Sequence, residues 1–220
     1  MSQLAVIFDM DGVLVDSYDA HFKSWVRLYG ELGLPYTEAA FAADFGRTSR
    51  DILRRTLPGD LTDDRVRELD SLKEAYYRDI LRADFTPMDG AVELLNALAD
   101  AGFQLAVGSS GPPENVALVI DKLGATHFAA AVTGADVTRG KPDPQVFLIA
   151  AERLGVPPAS CAVVEDAVHG VEAANRAGMT SIALTGTTTR DDLSAANLVV
   201  DSLRELTPDT IRALIECQQN

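Results

Sequence analysis

Four short apolar runs set the limits on what this chain can fold into: "LAVIF" from Leu4, "QLAVGSS" from Gln104 to Ser110, "CAVVED" from Cys161 to Asp166 and "SIALTG" from Ser181 to Gly186. Each has the length of a strand, and each is apolar without alternation, as strands buried on both faces are. A weaker run, "LVVDS", follows near Leu198. Between them lie segments of helical periodicity with clear ends. "TPMDGAVELLNALADAG" starts beside Pro87 and stops at Gly102, and "PPENVALVIDKLG" closes at Gly124. "PDPQVFLIAAERLG" opens with Asp143 as N-cap and Pro144 in the first turn, then closes at Gly155. "DAVHGVEAANRAG" ends at Gly178, and "TPDTIRALIECQ" opens on Thr207-Pro208. Strand alternating with helix calls for right-handed crossovers and a parallel sheet. The expected class is α/β, a doubly wound parallel-sheet, Rossmann-like core.

One stretch breaks the rhythm. From Tyr18 to Asp84 only helical periodicity is found: Phe22, Trp25, Tyr29 and Leu32 step along one face, and "RVRELDSLKEAYYRDIL" mixes charged and apolar residues at helical spacing. The expected organisation is a core made of residues 1–16 and 85–220, with an α-helical cap domain over 17–84. Ligands of open α/β sheets bind beyond the carboxyl ends of the strands. An insertion leaving from that end is expected to act as a lid.

Those strand ends carry the chemistry. The first run ends on Asp9 and Asp11, two like charges one residue apart, just before Gly12. Burying them unpaired is costly. Taken alone, Asp9 reads equally well as a turn or helix cap. An EF-hand is excluded, because Val13, Leu14 and Ala20 stand where its loop needs an oxygen ligand, a glycine and a glutamate. The second run ends at Ser109-Ser110, which offers hydroxyls and turn amides. Lys141 stands in "GKPDP", and another strand ends on Glu165-Asp166. In a parallel sheet these ends converge on one edge. Several carboxylates together ask for a hard cation, for which Mg²⁺ is suited, and a lysine and a serine supply what a phosphate needs.

Other motifs fail. Between Gly134 and Lys141 the glycine spacing is wrong for a phosphate loop, and Pro142 replaces its Ser or Thr. "GSSG" is not a nucleophile elbow. The histidines are scattered without H-E-x-x-H, which speaks against zinc. His169 reads as a helix-surface residue and His127, in "ATHFAAAV", as loop or strand start.

The net charge of −14, from 33 acidic against 19 basic residues, argues against nucleic acid or an anionic membrane as a partner. A small anionic substrate is still open to such a chain, since a metal ion and local cations reverse the field inside one cleft. Two cysteines without C-x-x-C, no secretion signal and no apolar span make a cytoplasmic protein the expectation. A monomer is expected.

"FDMDGVLVDS", Ser109 after a strand, Lys141 in "GKPDP" and "VVEDAVHGVEAA" resemble the four motifs of the haloacid dehalogenase superfamily, in their usual order and across almost the whole chain. The helical insertion is similar to the small α-helical cap of the subgroup that contains β-phosphoglucomutase and related sugar-phosphate phosphatases. The resemblance implies Asp9 as a nucleophile forming an aspartyl-phosphate, and Asp11 as general acid and then base. It implies Mg²⁺ held by Asp9, the backbone carbonyl of Asp11, Glu165 and Asp166. Ser109, with Ser110 beside it, and Lys141 would hold the phosphoryl oxygens. Asp11 speaks against the halide-removing members, which need no acid there.

Within the insertion, His21 and Trp25 in "HFKSW", Arg50 in "RTSRD" and Lys73 in "LKEAYY" fall where the mutase keeps its entry pattern and cationic cap residues. They imply grip on a sugar phosphate, although a lone helical Lys or Arg is ordinarily a solvated face. One place departs from the mutase pattern. Where that enzyme has a polar, cationic cluster for the distal phosphate of a bisphosphorylated intermediate, this chain reads Gly111-Pro112-Pro113. Two prolines offer no N–H and no side-chain donor. The expectation is therefore a Mg²⁺-dependent phosphatase of a small phosphorylated metabolite, a sugar phosphate by class, with a sugar phosphomutase as the alternative. A catalytically silent binding module is the reading from a different class, and no motif residue is missing that would support it.

Overall fold

The computed structural model describes residues 3–44, 48–124, 126–186 and 188–218. The chain divides into two compact units, Met1–Asp16 with Thr86–Asn220, and Ser17–Phe85.

The first unit holds one six-stranded, wholly parallel sheet. Its strands are β1 (Ala5–Phe8), β2 (Gln104–Gly108), β3 (Phe128–Val132), β4 (Cys161–Glu165), β5 (Thr180–Leu184) and β6 (Leu198–Val200), in the spatial order β3-β2-β1-β4-β5-β6. The chain order reverses direction at β1, so β1 lies between β2 and β4 with Phe8 opposite both Val107 and Val164. All four residues of β1 and all five of β4 are buried, as central strands covered on both faces must be. Helices α5 (Ala91–Asp100), α6 (Pro113–Leu123), α7 (Gln145–Leu154), α8 (Val168–Arg176) and α9 (Pro208–Gln218) belong to this unit. One core cluster joins Ile7, Ala106 and Val163 of the sheet to Phe147 and Ala150 of α7 and Ala173 of α8.

Three details differ from the sequence expectation. β3 is a full edge strand where only a loop or strand start was expected; its sequence "FAAAV" has three alanines, weak strand formers, and it is only partly buried. β2 stops at Gly108, so Ser109 and Ser110 lie in the loop beyond it. Helix α7 is capped by Pro144 rather than Asp143, whose Oδ1 instead accepts the N–H of Gln145 at 3.0 Å.

The second unit contains α1 (Tyr18–Glu31), α2 (Glu38–Asp44), α3 (Ser49–Thr56) and α4 (Asp63–Ala83), with no strand among its described residues. It has its own apolar core. Trp25, Leu28 and Tyr29 of α1 are buried with Phe41, Ile52, Leu53, Val66 and Leu69, and Phe22 and Leu32 pack at the margin. The side chains of Thr48 and Thr62 accept the N–H groups of Asp51 and Arg65, which starts α3 and α4 with satisfied donors. Among the described residues no helix is long and apolar enough to cross a membrane.

Candidate active site

The β1–β4 register sets the first contact. The N–H of Asp9 donates to the Val164 carbonyl at 2.9 Å, one step beyond the strand, and this keeps Asp9 alongside the end of β4. There the chain turns tightly: the carbonyl of Met10 accepts the N–H groups of Val13, Leu14 and Val15, and Gly12 donates to Val15 O at 3.0 Å. Gly12 has φ +74°, and a Cβ built on it would stand 2.2 Å from Asp166 Oδ2. Only glycine lets the turn come this close to the second acidic pair. Asp11, half-buried, lies inside this turn.

Lys141 joins the two strand ends. Its Nζ donates to Asp9 Oδ1 and to Glu165 Oε1, both at 2.6 Å, and all three side chains are largely buried. The ammonium also stands 5.0 Å above the ring of Phe147. The other oxygen of Glu165 accepts the N–H groups of Asp166 at 2.8 Å and Ala167 at 2.9 Å. Burial pushes the Asp9 carboxyl up to about 7; Lys141 opposes that, while the Glu165 and Asp11 carboxylates add to it. Burial disfavours the ammonium of Lys141, but its paired carboxylates outweigh this and raise its pKa above the ordinary lysine value.

Oxygens of Asp9, Glu165 and Asp166 all lie within 4.8 Å of one another, and all three residues are buried. Lys141 offsets one of these three negative charges. A buried, all-oxygen donor set with charge left over fits a hard divalent cation such as Mg²⁺.

Ser109 is buried just past β2. Its N–H donates to Val132 O at 2.9 Å, and its hydroxyl oxygen accepts the N–H of Gly111 at 3.0 Å. Ser110 is exposed. A Cβ on Gly111 would stand 3.2 Å from the Ser109 hydroxyl and 3.5 Å from Met10 Cε, so this loop runs beside the turn that follows Asp9. Pro112 caps α6 and Pro113 is its first residue.

The helical unit sorts its three candidates. Lys73, open to reading as a solvated helix residue, is only 2% exposed. Its ammonium bonds His21 Nδ1 at 2.8 Å and Glu74 Oε1 at 2.9 Å, and Glu74 also accepts from Ser49 at 3.0 Å. His21 stacks on Tyr77 with ring centroids 4.1 Å apart. Arg50 takes no part in these bonds: it is exposed and pairs with Asp70 at 2.9 Å. His169 and His127 are exposed, the latter sharing a hydrogen bond with Asn96.

The packing roles of two glycines escaped the sequence reading. Gly170, inside α8, leaves room for the Glu165 carboxylate, and a Cβ on Gly134 would stand 2.4 Å from Ser110 O. For Gly170 the available signal was a glycine inside a helix, where it costs about 1 kcal/mol relative to alanine and so calls for a packing reason; Gly134, in a turn, carried no such signal.

The chain is 32% identical over 204 residues to validoxylamine A 7′-phosphate phosphatase of Streptomyces hygroscopicus subsp. limoneus, covering 91% of this chain and 94% of that protein. It is 31% identical over 212 residues to β-phosphoglucomutase of Bacillus subtilis, covering 92% and 91%. A haloacid dehalogenase-family hydrolase structure from Entamoeba histolytica superposes with a TM-score of 0.88 at 27% identity, covering 98% of this chain and 100% of that one. The haloacid dehalogenase-like hydrolase family matches residues 4–178, and the chain belongs to that family.

Proposed function

We propose that this protein is a Mg²⁺-dependent phosphatase of a small phosphorylated sugar or sugar-like metabolite, acting through an aspartyl-phosphate on Asp9. The observation that carries the reading is the buried group in which Lys141 bonds both Asp9 and Glu165 while an oxygen of Asp166 lies within 4.8 Å of both carboxylates. Asp9 Oδ supplies the electron pair that attacks phosphorus, and the bond from phosphorus to the substrate oxygen breaks. Asp11 gives that departing oxygen its proton, then takes one from the water that releases phosphate and restores Asp9. Lys141 and the Ser109 hydroxyl orient the phosphoryl oxygens, and Lys141 offsets charge as it develops. Asp9, the backbone carbonyl of Asp11, Glu165 and Asp166 would hold Mg²⁺. When bound, the ion supplies charge stabilisation to the transferring group.

A mutase reading has a specific motive, because one matched relative is a β-phosphoglucomutase. Gly111-Pro112-Pro113 weighs against it. Two of these residues lack an N–H, and none has a side-chain donor for a second phosphate. Phosphate release from a panel of sugar monophosphates with Mg²⁺ tests the reading, together with borohydride reduction during turnover. The expected results are free phosphate and reduction at position 9, read by peptide mass spectrometry. Isomerised sugar phosphate without free phosphate would assign a mutase instead.

A further inference from the structure

Lys141 lies in the loop between β3 and α7, a segment with no regular structure of its own, yet its ammonium meets two carboxylates at 2.6 Å. Something must hold that loop. The side-chain oxygen of Gln145, the first residue of α7, accepts three bonds from the chain just before Lys141: the N–H of Thr138 at 2.8 Å, the N–H of Arg139 at 3.0 Å and the Thr138 hydroxyl at 3.2 Å. Backbone N–H groups only donate, so the oxygen of the carboxamide and not its nitrogen must face them. Behind Lys141, Asp143 accepts the Gln145 N–H and pairs with Arg139 at 3.0 Å, and Asp143 N–H closes a turn on Gly140 O at 3.0 Å. The segment from Thr138 to Asp143 is thus tied at both ends to one residue of a helix. That helix is anchored in the core by Phe147, whose ring lies under the ammonium.

We propose that Gln145 is a positioning residue for Lys141: its carboxamide oxygen clamps the 138–139 turn and so fixes where the ammonium meets Asp9 and Glu165. The proposal rests on the phosphatase reading for the consequence it has for catalysis, while the clamp itself is a statement about Lys141. Gln145 touches none of the proposed reacting groups, and its effect is on distance. A misplacement of about 1 Å at a reacting centre costs on the order of 10²-fold in rate.

The full-length chain, wild type and variant, would be assayed with p-nitrophenyl phosphate and Mg²⁺. In parallel, acetylation of Lys141 relative to exposed Lys122 would be followed by peptide mass spectrometry. Gln145→Met removes the acceptor at similar volume; Gln145→Glu keeps an oxygen there. The expected result for Gln145→Met is a fall in kcat/KM on the order of 10²-fold, with several-fold faster acetylation of Lys141. Gln145→Glu should restore both to within a few-fold of wild type. Lys141→Met combined with Gln145→Met should be no slower than Lys141→Met alone, because the clamp acts through the lysine. Unchanged Lys141 acetylation in Gln145→Met, a Glu variant as defective as the Met variant, or additive losses would each overturn the proposal. A wild-type chain that hydrolyses no phosphomonoester would count against the phosphatase reading, and the acetylation rates would then decide the clamp by themselves.

Discussion

The carboxylate of Glu165 fills the space that a side chain at Gly170 would need: a Cβ built on Gly170 would stand 1.8 Å from Glu165 Oε1. The same oxygen accepts the Lys141 ammonium. In an ordinary helix interior, Gly→Ala gains about 1 kcal/mol. Here the sign reverses. Gly170→Ala is expected to lower stability by about 1–3 kcal/mol through overpacking and to reduce phosphatase turnover on the order of 10²-fold through displacement of Glu165 and Lys141. Urea denaturation and steady-state kinetics on the same preparation measure the two effects.

The three buried carboxylates predict a thermal response to metal that does not depend on turnover. Mg²⁺ at about 100 times its Kd should stabilise the folded chain by about 2.7 kcal/mol, and a chelator should remove that gain. Asp166→Asn, which takes away one charge of the donor set, should lose most of the shift. A melting curve indifferent to Mg²⁺ in the wild type would remove the metal from the account.

Asp136 gives a pH-dependent stability with a definite sign. Its carboxylate accepts from Arg153 of α7 and from both the N–H and hydroxyl of Thr133, and these bonds hold its pKa at about 2 against an ordinary 3.8. A depressed folded-state pKa means the stabilisation is complete above the unfolded value and is lost as pH falls through the folded one. Because Asp136 is exposed, solvent screening leaves these bonds worth at most about 1 kcal/mol, so Asp136→Asn should melt no more than roughly 2–4 °C lower at pH 7. The gap should narrow as pH falls below about 4 and close only below about pH 2. A gap that stays constant across that range would contradict the assignment.

Tyr36 packs its ring against Tyr29 and Trp25, with centroids 4.5 Å and 5.9 Å away, while its buried hydroxyl has no hydrogen-bond partner among the described residues. Burial pushes that hydroxyl's pKa up to about 12. Tyr36→Phe keeps the ring and removes the unsatisfied group. It should raise stability by about 1 kcal/mol, seen as a higher urea midpoint at unchanged slope.

The α/β class and the helical insertion were legible because their signals are local. Runs such as "LAVIF" and "CAVV" are apolar throughout, and the stripe of Phe22, Trp25, Tyr29 and Leu32 along α1 and its C-cap repeats at helical spacing. β3 was not legible, because an alanine-rich edge strand has neither a long apolar run nor strong strand formers. The acidic residues of the candidate site could be gathered from strand ends alone, since a parallel sheet brings those ends to one edge, whereas Lys141 stands in a loop just ahead of α7. What holds them in place was not readable. Gly170 answers to Glu165 and Gln145 to Thr138, and only folding puts those pairs in contact. Lys73 shows the opposite failure: its sequence neighbourhood is that of an exposed helix face, but the fold buries it against His21 and Glu74.

The most direct measurement is a phosphorus NMR time course with Mg²⁺, β-glucose 1-phosphate and a trace of its 1,6-bisphosphate, run on the wild type and on Asp9→Asn. The account predicts inorganic phosphate as the main product wherever the wild type turns over and none from the variant, with a panel of other phosphorylated sugars taking the place of β-glucose 1-phosphate if both proteins leave it unchanged. Glucose 6-phosphate accumulating without free phosphate would contradict it, as would an Asp9→Asn variant that releases phosphate at the wild-type rate.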